Sequence, residues 1–174
     1  MEIRTPRLTL RPVTADMADA AYRYAGDPEN APMMVYLPYE SLEETKQALR
    51  EAAAQWQSPH PAFYEFGVFK GAEQIGGLTL YVPDEKDTLE LAWIIAKDHW
   101  GNGYAPEAAR GLMDYALKTW GIRRFIALCD SENIASRRTM EKLGMTFVKA
   151  APGRRNRSAP DVERVEWTYA VEIE

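Results

Sequence analysis

Cysteine is nearly missing from this chain: Cys129 is the only one in 174 residues. No disulfide can close within the chain, and neither a cysteine zinc site nor a disulfide-stapled secreted scaffold can form. Long apolar runs are missing too. No stretch approaches the roughly 20 residues needed to span a bilayer, and the opening MEIRTPRLTLRP has no apolar signal-peptide core. A cytoplasmic protein with no membrane partner is expected. Positive charge is not in excess either. The net charge of -5 argues against direct nucleic-acid binding and suits a cationic or amine-bearing partner. There is no internal repeat and no low-complexity tract. With 46% hydrophobic residues the chain can bury one core, so residues 1–174 are expected to form a single domain, as a monomer or homodimer.

What the chain does contain is clear periodicity. RLTLRPV (7–13) alternates Leu8 and Leu10 with polar neighbours and reads as a strand. Thr14 to Ala25 is alanine-rich and helical, stopped by Gly26 and Pro28. NAPMMVYLPY (30–39) is a loop rich in Met and Tyr. Ser41 with Glu44 forms a capping box that opens a helix to about Trp56. FYEFGVFK (63–70) and QIGGLTLYV (74–82) flank Gly71-Ala72-Glu73 as a hairpin. TLELAWIIA (88–96) places Leu89, Leu91, Trp93 and Ile95 on one face and Glu90 on the other. Pro106 suits the first position of a helix whose apolar face carries Ala109, Leu112, Met113, Ala116, Leu117 and Trp120, and Gly121 ends it. IRRFIALC (122–129) is a strand, and NIASRRTMEKL (133–143) is a helix closed by Gly144. MTFVKA and ERVEWTYAVEI read as strands separated by the basic, irregular PGRRNRSAPD (152–161). The fold class is mixed α/β.

The segment HWGNGYAPEAA (99–109) raises a chemical question, because two glycines stand at the entrance of a helix. A strand, a glycine-rich turn and a helix N-terminus together present backbone N–H groups and a positive dipole end, which suits phosphate. A tight connection that binds nothing would use the same residues. The nucleotide-triphosphate loop is excluded, because Gly103 is followed by Tyr104 and Ala105 rather than Lys and Ser/Thr. The dinucleotide fingerprint is excluded as well, for want of a third glycine. In NIASRRTMEKLGM (133–145) Asn133 opens a helix, and Ser136 shares a face with Met140 and Leu143. Capping alone would account for these residues too.

Taken together, WGNGYAPEA and NIASRRTMEKLGM resemble the GNAT superfamily of acyl-CoA-dependent N-acetyltransferases. The family's turn has Gln or Arg, two residues, Gly, one residue, then Gly or Ala; here it reads Trp100 to Ala105. RTPRLTLRP and ELAWII are similar to the ribosomal-protein N-acetyltransferase (Rim-type) branch, where tryptophan at the position of Trp100 is familiar. Met145 replaces a Phe. Met140 stands where many members carry a tyrosine that protonates the departing thiolate.

The resemblance implies a GNAT fold, with a central, mostly antiparallel mixed sheet flanked by helices. It implies acetyl-CoA as cosubstrate, no metal, and a primary amine as acceptor, on a small molecule or a protein N-terminus. Backbone amides of Gly101, Asn102, Gly103, Tyr104 and Ala105 would cradle the pyrophosphate. The edge around Trp93, Ile94 and Ile95 would pair with the pantetheine arm, and Asn133 would contact it. Ser136 would be the acid and Glu90 the base, with Asp161 and Glu163 as rivals for the base. Met34, Tyr36 and Tyr39 would build part of the acceptor pocket. Arg154, Arg155 and Arg157 would cap an acidic group or simply form a basic surface loop. A non-catalytic acyl-CoA sensor is the alternative from another class.

Overall fold

A computed structural model describes residues 1–174. In chain order the elements are β1 (Ile3–Arg4), β2 (Thr9–Pro12), α1 (Ala18–Ala25), α2 (Leu42–Gln55), β3 (Phe63–Lys70), β4 (Glu73–Tyr81), β5 (Thr88–Ile95), α3 (Tyr104–Trp120), β6 (Arg124–Asp130), α4 (Ile134–Lys142), β7 (Thr146–Asn156) and β8 (Ala159–Glu172). The strands form one sheet in the order β1-β2-β3-β4-β5-β6-β8-β7. Only β5 and β6 pair in parallel; every other neighbouring pair is antiparallel.

Alternation along the strands decides the two faces. Leu78, Leu80, Leu89, Leu91, Phe125 and Ala127 turn to one side, where they bury with Ala108, Leu112 and Met113 of α3 and Met140 of α4. The other face meets α1 and α2 in a smaller cluster around Ala21, Tyr24 and Leu49, with Phe63 and Ile94 packed against it. At about 25 cal/mol per Å² of apolar area, the larger cluster is the main source of stability.

The register contains one opening. β5 pairs with β6 only from Thr88↔Arg124 to Leu91↔Ala127. Beyond that point β5 stays with β4 as far as Gly76↔Ile95, and β6 stays with β8 as far as Asp130↔Glu166. Ala92–Ile95 and Leu128–Asp130 therefore part, and their facing edges carry no ladder bonds.

Several expectations need correction. Residues 152–161 are not an irregular loop, because β7 and β8 run through them as a long hairpin paired to Asn156↔Ala159. Pro152 and Gly153 signal a loop, yet they sit at a bulge where the register shifts and Gly153 takes φ 97°. α3 starts two residues before Pro106, which the first turn tolerates because its N–H groups need no helical partner. The helix expected from Thr14 is a short turn over Ala15–Met17 followed by α1. β1 was not anticipated; two residues are too few to show alternation.

Candidate active site

From β5 the chain makes a short turn over Lys97–His99 and enters α3 through Trp100–Gly103. Gly101 and Gly103 both have φ 76°, a left-handed backbone that costs residues with a side chain about 1–2 kcal/mol. The N–H groups of Gly101, Asn102, Gly103, Tyr104 and Ala105 donate to no protein acceptor. These five are the amides named from the sequence, and they lie at the positive end of α3. A Cβ at Gly101 would have nothing within 4 Å, so the turn is open to a ligand. Arg7 flanks it: Nη1 donates to the Asn102 carbonyl at 3.0 Å and Nε to Glu107 at 2.6 Å. Its guanidinium lies 4.7 Å from the Tyr104 ring centroid, and the Lys70 ammonium lies 5.6 Å from the same ring. Both cations favour an anion here.

Trp100 ties the turn to the end of β5. Its indole N–H donates to the Ile95 carbonyl at 2.6 Å, and Asn30 Nδ2 donates to the same oxygen at 3.2 Å. Of the three residues expected to meet the pantetheine arm, Ile95 thus has its carbonyl satisfied within the chain. Trp93 packs on the larger cluster and Ile94 on the smaller, so the strand is held from both faces while its edge stays open.

The expected base and acid lie on opposite sides of this parting. Glu90 shares a face with Tyr81 on one neighbour and Ile126 on the other. Its carboxylate accepts no hydrogen bond. Burial pushes its pKa up, the Glu166 charge adds to this, and Arg154 offsets it. Ser136 lies on the other face, in the first turn of α4, beside the thiol of Cys129. The Asn133 side-chain Oδ1 caps that helix, accepting from the Ser136 N–H at 3.1 Å. Cys129 is buried and its thiol is pushed up to about 11, mainly by desolvation. Met140 is fully buried in the core, so it cannot take part in proton transfer.

The rival carboxylates stand apart. Glu166 already pairs with Asp130, the last residue of β6, and Asp161 and Glu163 lie further out on the hairpin. Both are exposed, and Glu163 faces Arg155 at 3.6 Å. The arginines do more than decorate a surface. Arg154 is nearly buried, donating to Glu166 at 2.7 Å and to the Met33 carbonyl at 2.9 Å. Arg157 donates to Glu44 at 2.7 Å and to the Tyr36 carbonyl at 3.2 Å, and its backbone N–H reaches the Met34 carbonyl at 3.0 Å. The hairpin tip therefore clamps the Met/Tyr loop. Met34 and Tyr39 pack on the smaller cluster, while Tyr36 is 69% exposed.

On the Glu90 face the cover over the inner strands is incomplete, which leaves a shallow groove. Glu65, Thr79, Tyr81, Glu90 and Ala92 are all only partly buried, although β3, β4 and β5 lie inside the sheet. Their neighbours Phe66, Leu78, Leu80, Leu89 and Leu91, facing the other way, are buried.

A family model described as an acetyltransferase (GNAT) domain matches residues 7–146. The chain belongs to the GNAT acetyltransferase family. It is 31% identical over 149 residues to the uncharacterized N-acetyltransferase YnaD of Bacillus subtilis (strain 168), covering 83% of this chain and 82% of that protein. Its fold superposes with TM-score 0.87 and 17% identity, over 100% of both chains, on an acetyltransferase from Salmonella typhimurium. That enzyme is described as modifying the N-terminal serine of ribosomal protein L7/L12. The microcin C7 self-immunity acetyltransferase MccE, solved with acetyl-CoA and AMP, gives TM-score 0.84 at 13% identity over 97% of this chain and 93% of that one. These two likenesses establish the fold. With the family and the relatives together, the chain is an acetyl-CoA-dependent N-acetyltransferase.

In this GNAT acetyltransferase, sequence reading missed three residues at the site. Arg7 was hidden because its contacts to Asn102 and Glu107 cross about a hundred positions. Asn30 was lost inside the Met/Tyr loop. Glu65 did leave a signal, as a lone acid among the aromatics of FYEFGVF. Burial alone pushes its carboxyl up to about 7, and it accepts no hydrogen bond and pairs with no cation.

Proposed function

We propose that the enzyme moves the acetyl group of acetyl-CoA directly to a primary amine, on a small molecule or a protein N-terminus, with residues 1–174 acting as one domain. One juxtaposition carries this reading. Five unpaired amides at the start of α3 lead along the open edge of β5 to a point flanked by Glu90 on one face and Ser136 on the other. The amides of Gly101–Ala105 suit the pyrophosphate of the acyl donor, and the edge around Trp93 and Ile94 suits amide pairing along its arm.

The amine then enters from the groove face. An ammonium cannot attack, so Glu90 takes its proton, directly or through one water, and a raised pKa makes that carboxylate the better base. The nitrogen lone pair forms the C–N bond, the C–S bond breaks, and the leaving sulfur receives a proton from the Ser136 side. A free N–H at the parted strand end stabilises the developing oxyanion. An acyl-cysteine relay is disfavoured, because Cys129 is buried and stays protonated at neutral pH. The printed role of the Salmonella neighbour supports a protein N-terminus as one acceptor class.

Incubating the protein with acetyl-CoA and a panel of peptides, amino acids, aminoglycosides and polyamines, with free thiol as readout, tests the reading. Thiol release that depends on one amine class is expected. Release that is equal with and without every amine would refute direct transfer.

A further inference from the structure

Glu65 is a charge the mechanism above does not use. Register places Glu65 opposite Thr79, and Thr79 opposite Ala92, the first β5 residue past the parting. Only these two short side chains fill the row between Glu65 and the open edge. Glu90 lies two positions along β5 on the same face. With strands about 4.8 Å apart, Glu65 stands about 10 Å across the groove from the β5 backbone. The two carboxylates thus mark the ends of a short diagonal.

Three tyrosines lie close to Glu65. Tyr24 of α1, Tyr39 of the loop and Tyr81 of β4 all feel the Glu65 charge, and burial drives their hydroxyls far from ionisation. No Lys, Arg or His pairs with Glu65. The two arginines that hold the Met/Tyr loop are committed elsewhere: Arg154 to Glu166, and Arg157 to Glu40 and Glu44. A desolvated carboxylate with no partner, close to three tyrosines, is the complement of an ammonium group.

We propose that Glu65 is the counter-charge for a second cationic group on the acceptor, so that the groove selects a short diamine whose reacting nitrogen meets Glu90. This rests on the acetyl transfer to an amine proposed above. The rings of Tyr39 and Tyr81 flank the alkyl chain, and Thr79 and Ala92 leave it room. A monoamine would leave Glu65 uncompensated. A second ammonium removes that penalty on binding and leaves the chemistry at the first nitrogen untouched.

The test compares 1,4-diaminobutane with n-butylamine, in wild type, Glu65→Gln and Glu65→Asp. Thiol release gives kcat and KM, and calorimetry with coenzyme A present gives diamine binding. Wild type should favour the diamine by at least about tenfold in kcat/KM, through KM. Glu65→Gln should bring that ratio to about one, and Glu65→Asp should retain part of it. Equal kcat/KM for the two amines in wild type would overturn the inference and leave acetyl transfer standing. So would a preference that survives in Glu65→Gln, or an absence of diamine binding. Glu65-dependent diamine binding without thiol release would refute the transfer and uphold the counter-charge.

Discussion

Replacing Glu65 by Gln should stabilise the protein, and the gain should depend on pH. In the fold the Glu65 carboxyl is raised from 4.5 to about 7 by desolvation alone. Between those values the folded state holds a proton that the unfolded state has released. Stability therefore falls as pH rises across this window. This is the reverse of a paired carboxylate such as Asp27 or Glu44. The Glu29 backbone N–H and the Arg157 guanidinium hold those two below the ordinary range, and their contribution is lost on acidification. A span of about 2.5 pH units at about 1.36 kcal/mol each gives about 3 kcal/mol. Gln has nearly the same shape and no charge to bury, so it removes this term.

The assay is chemical or thermal unfolding of wild type and Glu65→Gln at half-unit steps from pH 4 to pH 8.5. Taking the difference between the two proteins cancels every other titrating group. The curves should meet near pH 4.5 and separate by about 3 kcal/mol above pH 7.5. For a chain of this size that is about 6–12 °C in Tm. A difference that stays flat with pH, or that favours wild type at pH 8, would refute the claim that Glu65 is desolvated and unpaired.

Four further outcomes follow from the site. Gly103→Val should weaken acetyl-CoA binding by at least about tenfold in calorimetry while the protein still folds, since a branched side chain at φ 76° distorts the turn; an unchanged Kd would remove the turn from the site. Ser136→Ala should lower kcat much more than it weakens acetyl-CoA binding, and normal turnover would leave that hydroxyl a structural one. Glu90→Gln should lose about 10²-fold or more in rate at neutral pH, with the deficit shrinking as pH rises; wild-type rates throughout would dismiss Glu90 as base. Arg154→Met removes the cation that opposes the rise in the Glu90 pKa, so the ascending limb of the pH–rate profile should move to higher pH, and an unmoved limb would separate the two residues.

How much of this was legible in the sequence depends on the range of the interactions. The glycine turn before α3 was legible because its cause is local: two glycines with left-handed backbone followed directly by a helix. The faces of β5 were legible because alternation is local too. The parting of β5 and β6 was not, since it depends on a register between strands joined through α3. The hairpin of residues 152–161 was misread because Pro152 and Gly153 carry the same signal at a bulge as in a loop. Arg154 and Arg157 were read as surface charge, yet their partners are loop carbonyls some 120 positions away. Glu65 needed the fold most of all. Its peculiarity is the absence of a partner, and a sequence cannot show which partners are out of reach.

The clamp and the groove belong to one electrostatic arrangement. Arg154 and Arg157 each bind a carboxylate and a carbonyl of the Met33–Tyr36 loop. They tie the loop to the hairpin without pairing with Glu65. A desolvated charge without a partner is unfavourable for the free protein, and such exceptions concentrate where a ligand supplies what the fold withholds. The two consequences of Glu65→Gln are therefore linked. If the penalty exists for the sake of a cationic acceptor, the variant that gains stability above pH 7 must also lose its preference for the diamine. Added stability with the preference intact would mean that the desolvated carboxylate and the acceptor never meet.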